Sequence, residues 1–161
     1  VRRRAAADVA ASDPGASPEA TLGVLPDLVG YHVRLAQMAV FADFERSLAD
    51  LALSPGVFGL LVIVDANPGL RQQQLADAAR IDRSTLVPAL DRLEARGLVE
   101  RRADPLDRRS NGLFLTADGR SLLAQAKRAV RRHEARLAAG FSDAERDTLV
   151  DLLTRVVAAL R

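Results

Sequence analysis

The residues of this chain best suited to chemistry lie between Gln72 and Arg109, and what they suit is hydrogen bonding to nucleic acid rather than bond breaking. Arg83, Ser84 and Thr85 follow directly on Asp82, a residue type favoured as a helix N-cap. At the head of a helix lying in a DNA major groove, an arginine can donate two hydrogen bonds to guanine O6 and N7, and a hydroxyl can bond a base or a phosphate. The helix N-terminus itself attracts phosphate oxygens. Pro88 and Arg92 lie further along the same segment, and Gln72 opens the segment before it. Downstream, Asp107, Arg108 and Arg109 concentrate charge in a stretch that reads as a hairpin tip, and a narrow minor groove draws an inserted arginine. Asp107 stands two residues before Arg109, where a bidentate pair would present the guanidinium. A plainer arrangement fits the same residue types: Asp82, Ser84 and Thr85 capping a surface helix, the arginines solvated, and an exposed ion pair of little worth.

To hold those groups the chain needs two helices and a hairpin, and the periodicity predicts them. Gln72 to Ala79 reads as a short helix with Leu75 and Ala76 inward, and Arg80-Ile81 as a tight turn. The next helix runs from the Asp82 cap to about Arg96, with Leu86, Leu90 and Leu93 inward at spacings of four and three. Pro88 removes an amide donor and crowds the preceding turn, which predicts a kink or a late, tightened start. Gly97 ends that helix; residues 98–101 alternate as a half-buried strand, and residues 112–115 supply its partner with Leu113 and Leu115 facing one way.

The flanks read as helices. Residues 22–50 are apolar on more than one stripe, so that helix needs cover on several sides. Ser54-Pro55 starts another, with Phe58, Leu61, Val62 and Ile63 as its buried face and Asn67-Pro68-Gly69 as its stop. Thr116 caps a helix carrying Leu122, Leu123, Ala126, Val130 and Leu137 to about Ala139. Its His133 sits among Arg128, Arg131, Arg132 and Glu134, which reads as a solvated face. Ser142 and Glu145 form a capping box for a last helix, on which Leu149, Leu152, Leu153, Val156, Val157 and Leu160 make one stripe. Something must cover that stripe, and the simplest cover is a second copy of the chain. The expected fold is mainly α with a small β-hairpin wing: a disordered tail over 1–20, a helical dimerisation region over 21–50 and 117–161, and a winged helix-turn-helix DNA-binding region over 51–116.

Composition narrows the function. The 161 residues hold 23 Lys plus Arg against 21 Asp plus Glu, so total charge argues for nothing and only its placement matters. With no cysteine and two histidines, His32 and His133, far apart, disulfides, thiolate zinc sites, redox thiols and metal sensing are all excluded as expectations. No glycine-rich phosphate loop and no nucleophile beside a base is visible, so neither an enzyme nor a cofactor is expected. The basic head VRRR is followed by Asp8 and Asp13 and by no apolar core, unlike a signal peptide, and no stretch is long and apolar enough to span a bilayer. A cytoplasmic protein with no membrane partner is the expectation.

LADAARIDRSTLVPALDRLEARGLVERR followed by DPLDRRSNGLFLTADGR resembles the MarR (multiple antibiotic resistance regulator) family of dimeric winged-helix transcription factors. The specific features are the helix-turn-helix ending in LDRLEARGLVER, the D-x-R wing at Asp107 to Arg109 and the LTADG entry to the following helix. The resemblance covers about residues 22–160. It implies a triangular homodimer, two recognition helices on a pseudo-palindromic duplex operator, and a wing arginine in each minor groove. It further implies a small effector, an anionic aromatic compound or, in one branch, the coenzyme A thioester of an aromatic acid. The effector would sit between the dimer helices and the winged unit, where Tyr31, His32, Arg34, Met38 and Phe58 are the candidate lining. The segment YHVRLAQMAVFADFERSL resembles the thioester-responsive branch. As residue types alone, Tyr31, Met38 and Phe58 equally suit plain core and His32 a packed, hydrogen-bonded position. A rival reading keeps the fold as a protein-interaction module without a specific operator; Arg83 and the wing arginines speak for DNA.

Overall fold

In the computed structural model, residues 20–103 and 111–160 are described. The chain divides into two units, Val1–Leu35 and Ala36–Arg161. In the first unit the long helix expected from residue 22 is broken. A 3-10 turn spans Leu25–Asp27 with Pro26 near its start, and Leu28 is extended before α1 (Val29–Leu48) begins. Pro26 supports a tight turn with its fixed φ but has no amide to propagate a helix. Leu22, Val24, Leu25, Leu28, Val29 and Val33 are all exposed.

The second unit holds the core. α1 gives way to a 3-10 turn over Ala49–Leu51, and Ala52 adopts a left-handed φ of 50° before α2 (Pro55–Ala66). Ser54 caps α2 as expected, its hydroxyl accepting from the Val57 amide at 3.4 Å. The buried face of α2 is Leu60, Leu61 and Val64, whereas Phe58, Val62 and Ile63 are half-buried. The predicted stripe was rotated because a helix apolar nearly all round carries little directional signal. α3 (Gln72–Ala79) and α4 (Arg83–Ala95) follow, and Arg80 makes the turn between them at φ 56°. α4 buries Leu86, Ala89, Leu90 and Leu93. Each fully buried leucine contributes about 1.5–3 kcal/mol of transfer free energy before entropy.

Gly97, at φ 67°, turns the chain out of α4, and its amide donates to the Glu94 carbonyl at 2.8 Å. Leu98 and Val99 are both buried, and along β2 (Val99–Ala103) exposure then rises steadily and does not alternate as expected. β2 pairs antiparallel with β3 (Asn111–Leu115), Val99 opposite Leu115 and Arg101 opposite Leu113. The sheet has a third strand that the hairpin reading lacked: β1 (Leu70–Arg71) pairs antiparallel with the other edge of β3. Two residues are too short to show a period, so β1 exists only because β3 offers it a free edge.

α5 (Ala117–Ala138) is capped by Thr116, whose hydroxyl accepts from the Gly119 amide at 2.9 Å. Gly119 is required by proximity: a Cβ there would lie 2.0 Å from the Leu98 carbonyl oxygen. α5 turns Leu123, Ala126, Ala129 and His133 inward, and Lys127 donates to Asp65 of α2 at 2.7 Å. His133 is thus not on a solvated face. Three arginines and a glutamate around it suggested exposure, but it falls on the same helical stripe as Ala126 and Ala129 and is 2% exposed. α6 (Asp143–Ala159) opens with the expected capping box, Ser142 accepting from the Glu145 amide and Glu145 from the Ser142 amide, and buries no residue.

Candidate DNA interface

α4 presents Arg83, Ser84 and Thr85 in its first turn, all exposed, with Pro88 and Arg92 exposed further along and Gln72 half-buried at the head of α3. α3 holds α4 through Leu75 and Ala76, and the Arg80 amide closes the turn on Asp77 at 3.2 Å. Asp82 occupies the N-cap position, yet its side chain makes no capping hydrogen bond. The Asp82 carbonyl takes the Thr85 and Leu86 amides, both at 3.0 Å, while the amides of Arg83 and Ser84 face outward from the helix end. A helix end in this state offers donors and a positive dipole to an anion.

Helix geometry holds from Arg83 through Ala95 with Pro88 inside, so the start is not late, though the Thr85 amide reaches the Asp82 carbonyl three residues back, as in a tightened first turn. Pro88 sits at the sixth helical residue, where its missing amide frees the Ser84 carbonyl. That carbonyl lies on an exposed residue, where water replaces the lost bond at modest cost. Neither Arg83 nor Arg92 has a side-chain hydrogen bond or ion pair among the described residues. Thr85 and Arg92 also line a mainly apolar cavity of about 480 Å³ between α2, α3 and α4. The expected wing residues Asp107, Arg108 and Arg109 lie outside the described residues, as does the tail over 1–19.

The strands leading to the wing carry cations that the sequence reading did not single out. Arg102 packs its guanidinium 4.6 Å from the centre of the Phe114 ring and pairs with Glu100. Arg101 reaches back to α4, pairing with Asp91 at 2.7 Å and with Glu94. Arg96 donates to the carbonyls of Ala52 and Leu51, at 3.1 and 3.2 Å, and so ties the end of α4 to the turn before α2. Arg101 could have been suspected from strand alternation, which puts it on the same face as buried Val99; the Arg96 contacts have no signal in the sequence.

The candidate effector residues divide between the two units. In the first, Tyr31 is half-buried and meets His32 edge-on at 5.5 Å; His32 Nε2 lies 2.7 Å from the Pro26 carbonyl, and Arg34 is exposed. In the second, Met38 is exposed and Phe58 half-buried, its ring 5.7 Å from Phe44. Phe44 in turn meets the His133 ring at 5.4 Å.

A helix-turn-helix followed by a β-hairpin, whose sheet is completed by the short strand β1 ahead of α3, defines a winged-helix protein. The sequence pattern of the MarR family matches residues 53–110. A protein of Thauera aromatica described as a candidate transcriptional regulatory protein for the hcr operon is 39% identical over 135 residues, which is 83% of this chain and 81% of that one. The repressor CouR bound to a 23-mer DNA duplex superposes with a TM-score of 0.82 at 42% identity, over 86% of this chain and 99% of that one. CouR bound to p-coumaroyl-CoA superposes at 0.80 with 40% identity, over 86% and 98%. The chain belongs to the MarR family and is a transcriptional regulator of that type, not an enzyme. Among the described residues no single helix is long and apolar enough to cross a membrane.

Proposed function

We propose that this chain is a cytoplasmic, ligand-responsive repressor that binds a pseudo-palindromic duplex operator as a homodimer and is released by a small aromatic acid or its coenzyme A thioester. The observation that carries the reading is the exposed first turn of α4, where Arg83, Ser84 and Thr85 stand beside outward amides and no carboxylate closes the helix end. Arg83 then reads a base, Ser84 and Thr85 bond base or phosphate, and Gln72 and Arg92 contact the backbone. Asp107, Arg108 and Arg109 are assigned to the same DNA contact by their residue types and the family resemblance. The segments over 21–50 and 117–161 pair two copies, supported by the 37–59% exposure of Leu149, Val150, Leu152, Leu153, Val156 and Val157 on α6.

The effector reading rests on Tyr31, His32, Arg34, Met38 and Phe58, with support from CouR, whose ligand is an aromatic acyl-CoA. Arg34 would take a carboxylate or phosphate, and Tyr31 and Phe58 a ring. The test is selection of bound sites from random duplexes, followed by a screen of aromatic acids and their thioesters for release. A chain that selects no site and binds mixed DNA without salt dependence would instead be an interaction module.

A further inference from the structure

Arg101 stands on β2, three residues before the stretch that leads to the wing tip, and its side chain is 19% exposed. It lies opposite Leu113, which is fully buried, so the strand and the core beneath it fix its backbone. From there its guanidinium crosses to α4 and holds two carboxylates three residues apart, Asp91 at 2.7 Å and Glu94. Its two terminal nitrogens divide between these carboxylates, Nη1 donating to Glu94 and Nη2 to Asp91.

We infer that Arg101 is a positioning residue for DNA recognition: one guanidinium on the wing strand clasps Asp91 and Glu94 of the recognition helix, so that helix and wing meet DNA as a single body. The inference rests on the reading of α4 as the recognition helix. Asp91 is eight residues beyond Arg83, about 12 Å along the helix. A tilt of about 10° at the clasp would move the first turn by about 2 Å, more than a base-edge hydrogen bond tolerates. Contacts to phosphate, made by long and adaptable side chains, would survive such a tilt. The loss expected from opening the clasp is therefore in selectivity and not in general DNA affinity.

Charge alone predicts a different outcome for one variant, stronger binding with an unchanged ratio of selected to mixed affinity, which makes the inference testable. Asp91→Asn with Glu94→Gln removes two negative charges from a helix that approaches phosphates, so electrostatics would strengthen binding. The clasp predicts weaker selectivity instead. The probes are a duplex selected from a random pool by the wild-type chain and a mixed-sequence duplex of equal length. Arg101→Gln and the double variant should each lower the ratio of selected to mixed affinity about tenfold, the worth of roughly one bidentate base contact. Arg101→Lys keeps the charge but reaches only one carboxylate, and should fall between these and wild type; it also serves if a larger change prevents folding. Ratios equal to wild type in Arg101→Lys and in the double variant would overturn the clasp while leaving the regulator reading intact. A wild-type chain that selects no duplex would overturn both.

Discussion

His133 Nδ1 faces Asp43 Oδ2 at 2.7 Å, joining the C-terminal third of α5 to α1 across ninety residues of sequence. The same carboxylate oxygen accepts from Arg136 at 2.7 Å, and the other oxygen from Arg46 at 3.2 Å. Arg136 also donates to the Ser47 hydroxyl at 2.6 Å. With Asp43 ionised, His133 is the donor, and its ring edge packs on Phe44. The cluster pins a helix of the expected dimerisation region to the helix that carries the first core residues, Phe44 and Leu48.

His133→Ala should destabilise the fold by about 2–4 kcal/mol, through the void left by a buried ring and a carboxylate deprived of its donor. Urea titration followed by circular dichroism measures it. A change within about 0.5 kcal/mol, typical of exposed sites, would show that the ring is not buried in solution.

The acid branch of stability should carry the mark of Asp43. The hydrogen bond from His133, then those from Arg136 and Arg46, hold its carboxyl well below the usual carboxylate range. An unfolded aspartate titrates near about 3.9, so its contribution is complete above that pH and is lost as the pH falls below it. The difference in urea midpoint between wild type and Asp43→Asn should be constant above about pH 5 and shrink below about pH 4. A difference that persists unchanged into strong acid would remove Asp43 as its source.

Arg83→Ala should weaken binding to the selected duplex by about 1–3 kcal/mol and relax the base preference beneath the helix head. Arg109→Ala should weaken many sequences alike and make the salt slope shallower by about one. Competition assays at several salt concentrations separate the two patterns. A slope unchanged in Arg109→Ala would leave the wing arginine in solvent.

Two copies should be inseparable from the folded state. Leu153→Asp with Val157→Asp places charge on the exposed stripe of α6, where both residues are 45–47% exposed in the single chain. Sedimentation should give a dimer for wild type at low micromolar concentration and a monomer or unfolded chain for the variant. A wild-type chain that sediments as a stable, folded monomer would overturn the homodimer.

Effector and operator should weaken each other by the same factor, corresponding to about 1–3 kcal/mol of coupling. Calorimetry with p-coumaroyl-CoA as probe, with and without the selected duplex, measures the factor in wild type, Arg34→Ala and Tyr31→Ala. Equal affinity with and without DNA would end the allosteric reading. Affinity unchanged in both variants would move the site, with the cavity beside Thr85 and Arg92 the next place to look.

The features legible in the sequence are those decided by short-range chemistry. Ser54 before Pro55, Thr116 three residues before Gly119, Ser142 with Glu145 and Gly97 after α4 each satisfy or release backbone groups within a turn, so the residues themselves announce the helix ends. The spacing of Leu86, Leu90 and Leu93 likewise sets the buried face of α4 without reference to anything distant. Tertiary structure decided what depends on a partner far along the chain. β1 is a strand because β3 has a free edge, and Asp82 sits at a helix cap without capping it. His133 is buried because α1 brings Asp43 and Phe44 to a stripe that its charged neighbours disguised. Arg101 clasps α4 because the turn at Gly97 folds β2 back along the helix. Pairings of this kind are set by which surfaces meet, and local composition holds no record of that.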